Sequence, residues 1–204
     1  MSAEVPPPSV QPVETVTVSD TAAKVFYAVF KNMENKMYWA EPLDSAFYCA
    51  CFSEFMAMLF FQVLSVGGAM TTLHAEHPNL LEISMSFGFG IMVIAQWAGP
   101  LSGAHINCAV TFALYLAGRV SGTRFIFYTL AQILGAVAGA IILLMIFGSN
   151  YNGSDQNFAS NEWDPNVFNG GQVFLAEMFG TAILIFNVFA TIDHPMAGKT
   201  THHP

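Results

Sequence analysis

The stretch Ser102-Gly103-Ala104-His105-Ile106-Asn107-Cys108-Ala109-Val110-Thr111 sets the reading of the whole chain. It follows a strongly apolar run and puts Ser102, His105 and Asn107 where more hydrocarbon would be expected. The apolar part that resumes, residues 106–117, would be only about 18 Å long as a helix, against a hydrocarbon core of about 30 Å. Gly99-Pro100 and Ser102-Gly103 predict a break from the preceding run. Such a segment cannot cross a bilayer. It reads as a re-entrant half-helix that enters the membrane and returns to the face it left.

The composition agrees that lipid is the solvent. Hydrophobic residues make up 54% of the chain and charged residues 10%, too few charges to clothe a water-soluble domain. The net charge of −8 excludes a phosphate-binding surface, so no nucleic-acid partner is expected. Cys49, Cys51 and Cys108 lie in or beside apolar runs and form no disulfide framework. No signal peptide is evident in the first 40 residues.

Four runs are long enough to span, roughly 46–70, 80–99, 125–147 and 173–192. The expected fold is all-α, a polytopic transmembrane helical bundle of four spans plus one re-entrant half-helix. Residues 1–44 read as a disordered or interfacial N-terminal segment, 45–194 as the membrane domain and 195–204 as a tail. Within the first part, Phe26, Phe30, Met33 and Met37 recur at helical spacing, which suits either an interfacial helix or a linker with aromatic residues.

Charge placement tests the topology. If 106–117 is re-entrant, Lys24, Lys31, Lys36, Arg119, Arg124 and Lys199 all fall on one face, and connections 71–79 and 148–172 carry no Lys or Arg. A crossing segment would move Arg119 and Arg124 to the other face. The positive-inside rule therefore predicts an integral, multi-pass protein with a cytoplasmic N-terminus. The sequon at Asn152, a glycosylation candidate, then lies outside.

Asn107 suits the start of the half-helix. As N-cap, its side-chain oxygen would accept from the N–H of Ala109 or Val110, leaving its NH2 to donate elsewhere. A helix start carries about +0.5 charge. Together these describe a site for water or a small polar solute that repels cations. A capped helix serving only as packing is the competing reading.

Glu54 and Glu177 occupy matching phrases, Ser53-Glu54-Phe55-Met56-Ala57 and Ala176-Glu177-Met178-Phe179-Gly180, in spans of opposite direction. That pattern suggests an inverted repeat. Glu54 is expected to hold His105 and its surrounding loop as a scaffold. On this repeat, 46–147 is a full unit and 170 onward begins a second one. The chain is expected to be C-terminally incomplete, lacking the second half-helix.

At these residues the sequence resembles the aquaporin (major intrinsic protein) family. Residues 102–111 match its first signature loop, Ser-Gly-x-His-x-Asn-Pro-Ala-Val-Thr, with Cys108 in place of proline. The likeness continues through Ser84, Phe87-Gly88, Ala95-Gln96, Tyr128, Gln132, Gly135-Ala136, Gly139, Gly171, Glu177, Gly180-Thr181 and Asp193. It implies a homotetramer with a pore in each monomer. Asn107 would orient water at mid-pore, beside Cys108 and Ala109, and the carbonyls of Gly103, Ala104, His105 and Ile106 would form a ladder leading to it. Glu54, Glu177 and Gln132 would be structural support. Phe87 falls where water-selective members carry an aromatic at the outer constriction, whereas glycerol facilitators typically carry tryptophan.

The expected function is therefore passive conduction of water, with no enzymatic activity, cofactor or metal. A glycerol or small-neutral-solute facilitator is the alternative within the class. A non-conducting four-span structural or assembly partner is the alternative outside it. Cys108, His105 and Asn107 are a poor nucleophilic triad, because neighbours at a helix start point apart. The histidines at 74, 77, 194, 202 and 203 match no standard metal spacing.

Overall fold

The computed structural model describes residues 39–73, 79–148 and 163–192. The expectations for residues 1–38, the Asn152 sequon and the tail beyond Ile192 lie outside them. Helix α1 spans Ser45–Phe61, where Asp44 caps the start by accepting from Phe47 N–H at 2.8 Å. A π-helical turn, Gln62–Val66, follows and leads into α2, Gly67–Leu73. Such turns widen the helix and loosen its own hydrogen bonds. Here Ser86 of the next span supplies a partner, its hydroxyl lying 3.1 Å from the carbonyls of both Leu64 and Ser65.

Helix α3 spans Leu80–Ser102 and starts at an Asn79 cap. It corrects one expectation: Gly99-Pro100 does not break the span, and the helix runs through Pro100. Proline removes one backbone donor, a loss confined here to the final turn. The stop comes instead at Gly103, whose left-handed φ of 89° lets its N–H close on Gly99 O at 2.9 Å. Helix α4, Cys108–Leu116, has nine residues. Helix α5, Gly122–Phe147, is capped by Ser121 and starts three residues earlier than the apolar run suggested. Helix α6, Gly170–Ile192, opens with a reciprocal box, Asn169 Oδ1 accepting from Gln172 N–H and Gln172 Oε1 from Asn169 N–H.

Four stretches are long and apolar enough to cross a membrane: Ser45–Thr71, Leu80–Ser102, Gly122–Phe147 and Gly170–Ile192. No strand occurs among the described residues. Helix α5 lies along α1 because glycines let the backbones meet. A Cβ on Gly135 would collide with the carbonyl of Phe55, and one on Gly139 would come within 2.9 Å of Leu59 O. The Gly135/Gly139 pair is thus spent on packing inside the chain. Helix α6 is attached lightly: Phe189 joins the buried cluster of Val110, Leu114, Ala117 and Val120, while most of the helix stays exposed. Its bare Phe, Leu and Ile side chains require lipid or further protein as neighbours.

The depth of the short helix follows from helix rise. Thr123 N–H donates to Trp39 O, and Arg124 pairs with Glu41, so α1 and α5 begin at the same end of the bundle. Glu54 lies about 14 Å along α1 and Gln132 about 15 Å along α5. Their side chains meet at 2.8 Å, near half of a ~30 Å hydrocarbon core. The 103–107 turn is tied to that level, and α4, about 14 Å long, returns the chain to the end where α5 starts.

Candidate functional site

The turn between α3 and α4 has an unusual backbone. Gly103, Ala104 and Ile106 all have positive φ, at 89°, 50° and 49°. Non-glycine residues adopt this region at a cost of order 1–3 kcal/mol each. The surroundings that impose it centre on Glu54, fully buried in α1. Its Oε1 accepts from the Ser102 hydroxyl at 2.6 Å and from His105 N–H at 2.9 Å. Its Oε2 accepts from Ile106 N–H and from Gln132 Nε2, both at 2.8 Å. Ser102 Oγ in turn accepts from Ala104 N–H at 3.1 Å. A carboxylate carrying four donors is well compensated for its burial.

This arrangement dictates where the carbonyls go. In a trans peptide the C=O points opposite to the N–H that shares its plane. With the amides of Ala104, His105 and Ile106 turned toward Ser102 and Glu54, the carbonyls of Gly103, Ala104 and His105 must turn away from them. Gly103, Ala104 and His105 line a groove of about 760 Å³, bounded also by Ile91 and Ala95 of α3, Val110 and Leu114 of α4, and Asn187 and Thr191 of α6.

Asn107 closes the turn. Its φ of −161° is extended, and its Oδ1 accepts from Ala109 N–H at 2.7 Å. Its NH2 makes no hydrogen bond within the described residues, and the side chain is partly exposed. Thr111, one helical turn on, donates to Asn107 O at 3.0 Å and faces Gln132 Nε2 and His105 Nδ1 at 3.1 Å each. Thr111 Oγ1 thus ties Asn107 O, the Gln132 amide and His105 Nδ1 into one buried network. The imidazole packs edge-on against Tyr128, with ring centroids 5.0 Å apart.

Glu54, Gln132, His105, Ile106 and Asn107 are thus assembled in one place. Cys108 occupies N1, exposed and as a free thiol, and Ala109 supplies the capped N–H. Phe87 is not part of this cluster. It sits on α3 two turns beyond Ile94, packed edge-on against Phe61 at 5.7 Å. Glu177 is placed differently from Glu54: it is exposed on α6, with no hydrogen-bond partner among the described residues. Sequence reading missed Thr111 and Ser102 as members of the cluster. Thr111 was within reach, being one turn from Asn107. The bond between Ser102 and Glu54 joins residues 48 apart and left no local signal.

Comparison with known proteins places this architecture. The family model for the major intrinsic proteins matches residues 41–204. The chain is 40% identical to aquaporin-5 of Ovis aries over 153 residues, covering 75% of this chain and 56% of that relative. It is 41% identical to aquaporin-2 of Homo sapiens over 148 residues, 72% of this chain and 53% of the relative. Against the lens fiber major intrinsic protein of Ovis aries it is 36% identical over 160 residues, 78% and 59% respectively. The chain spans about half the length of the curated relatives it matches. The capped half-helix between long apolar spans and the family match over residues 41–204 agree, and the chain belongs to the major intrinsic protein family.

Proposed function

We propose that the described residues form one side of a passive, water-conducting membrane pore with Asn107 at its narrow middle. The observation that carries this reading is a free Asn107 NH2 beside a turn whose Gly103, Ala104 and His105 carbonyls face away from Glu54 and Ser102. A water molecule on that path finds acceptors along one wall and then a donor beside the positive end of α4, an order that orients water and repels cations. Water is favoured over glycerol by Phe87, a smaller aromatic than tryptophan near the outer end of α3. By family likeness the protein assembles as a homotetramer, and the one-sided placement of Lys and Arg puts the N-terminus in the cytoplasm. Among the described residues, the exposed Phe, Leu and Ile side chains of α6 offer a face for a further wall of the pore. Names borne by the relatives, aquaporin-5 and aquaporin-2, support a channel rather than an enzyme.

The test is stopped-flow swelling of vesicles carrying residues 1–204, alone and with the unmatched part of aquaporin-5 supplied as a second chain. Water permeability should stay near the lipid baseline for the chain alone and rise on complementation, without salt conductance. Salt current would overturn the pore reading, and rapid swelling by residues 1–204 alone would overturn its half-walled form. Glycerol entry matching that of water would select the solute-facilitator alternative. Permeability that never rises in either form would favour the non-conducting structural partner.

A further inference from the structure

The short segment ahead of α1 is stitched to the first turns of α5 more thoroughly than a linker needs. Trp39 lies flat against Gly122, leaving no room for a Cβ there, and its carbonyl accepts from Thr123 N–H at 3.0 Å and from Thr123 Oγ1 at 2.6 Å. Two residues on, Glu41 accepts from the Ser121 hydroxyl at 2.9 Å. It also takes a two-pronged grip from Arg124, with Nε to Oε1 at 3.0 Å and Nη2 to Oε2 at 3.1 Å. That fork fixes the guanidinium plane and leaves Nη1 aimed inward.

Nη1 donates to the Tyr128 hydroxyl at 2.8 Å, and Tyr128, fully buried, donates onward to Ser102 O at 2.9 Å. Ser102 is the last residue of α3, and its carbonyl is among those a helix end leaves without a partner. The next residue begins the positive-φ run, and the Ser102 hydroxyl is itself bound to Glu54. Hydrogen bonds thus run from Glu41 through Arg124 and Tyr128 to the Ser102 carbonyl, and the hydroxyl of the same residue bonds Glu54. Because Tyr128 accepts from a cation while donating, each bond polarises the next.

We propose that Arg124 is a positioning residue, held by Glu41 and acting through Tyr128, that fixes the end of α3 and so the 103–107 turn and Asn107. The Glu41 carboxylate ahead of α1, through its fork with Arg124, then sets how rigidly the turn is held. The consequence for conduction rests on the pore reading; the mechanical coupling does not. The plainer account makes Glu41–Arg124 a half-buried ion pair of little worth and Tyr128 a satisfied buried phenol, independent of each other. The two accounts differ in whether perturbations at the two ends combine.

The experiment is amide hydrogen exchange of the 103–107 peptide in the membrane-embedded protein, for wild type, Glu41→Gln, Tyr128→Phe and the double variant. Loss of one bond in the path should speed exchange about tenfold. The double variant should go no further than Tyr128→Phe alone. Arg124→Lys, which keeps the charge and loses the fork, should reproduce Glu41→Gln and provides the result should that variant fold poorly. Thr123→Val, which removes the hydroxyl bond to Trp39 O but keeps the backbone one and spares the fork, should leave the turn at the wild-type rate. Additive effects, a wild-type turn in both Glu41→Gln and Arg124→Lys, or equal loosening by Thr123→Val would each overturn the proposal. Coupled exchange with no water permeability in any complemented form, wild type included, would count against the pore reading alone.

Discussion

Glu54 and Gln132 meet at 2.8 Å from two different spans, each about 15 Å from the common end of the bundle, and between them they hold a turn that neither span contains. The bond sets the level at which α3 hands over to α4. Everything on the groove side of the turn depends on the acceptors on its other side.

Removing the Glu54 carboxylate should therefore unfold more than it unpairs. Glu54→Ala strands the His105 and Ile106 amides in a buried setting and takes one partner each from the Ser102 hydroxyl and the Gln132 amide, with an expected loss of about 3–5 kcal/mol. Glu54→Gln keeps one acceptor oxygen but turns the other into a donor facing donors, so it should fall between Ala and wild type. Unfolding in mixed detergent micelles, followed by circular dichroism, measures both. A Glu54→Ala protein within about 1 kcal/mol of wild type would contradict the scaffold role.

Asn107 separates capping from contact with the permeant. Asn107→Ala loses the Ala109 cap and should cost about 1 kcal/mol. Asn107→Asp keeps an acceptor for Ala109 N–H and should match wild-type stability within about 0.5 kcal/mol. It also replaces the free donor with negative charge. In the complemented pore it should lower water permeability and admit cations, read as vesicle swelling and salt current. If Asn107→Asp leaves both unchanged, the exposed NH2 has no part in conduction.

Cys108 occupies a position where proline is well suited. At N1 the backbone N–H needs no partner within the helix, and the proline ring presets the required φ. Cys108→Pro should stabilise the protein by about 0.4–1 kcal/mol through the unfolded chain. The exposed thiol also offers a site for a mercurial beside Asn107. Cys108→Ser should abolish mercurial block of the complemented pore; block that survives unchanged would show that Cys108 is not the reactive site.

How much of this was legible in the sequence depends on the range of the interaction. The half-helix could be read because its evidence is local: an apolar run too short to cross, opened by a capping residue. The four spans could be read for the same reason, each being an uninterrupted apolar stretch. The Glu54 cluster was legible only as a buried acid needing partners. The carboxylate serves amides 51 and 52 residues away, and no spacing rule encodes that. Pro100 misled because a breaking residue was weighed without its position in the final turn. The π-helical turn left no mark at all, since Gln-Val-Leu-Ser-Val has an ordinary helical composition and the bonds that Ser86 makes to its carbonyls come from another span.

Gly135 offers a check on packing that is independent of the site. Its Cα faces the backbone of Phe55 and Leu59, so Gly135→Ala must push α5 away from α1. Overpacking of this kind costs about 1–3 kcal/mol, and Gly135→Leu should prevent stable folding. Gly99, with open space around it, is the control: Gly99→Ala should be neutral within about 0.5 kcal/mol. Equal effects at the two positions in a detergent-unfolding assay would show that α1 and α5 do not touch as described.

The central claim is that the chain enters and leaves the membrane by the same face around α4. It is tested most directly by single cysteines at Leu43, Asn79, Arg119 and Trp163, placed one at a time in a chain with Cys49, Cys51 and Cys108 changed to serine. Each is probed in sealed vesicles with a membrane-impermeant thiol reagent. Leu43→Cys and Arg119→Cys should label from one face, and Asn79→Cys and Trp163→Cys from the other. Labelling of Arg119→Cys from the Asn79 face would mean that residues 103–119 cross the bilayer, and the half-helix account would fail.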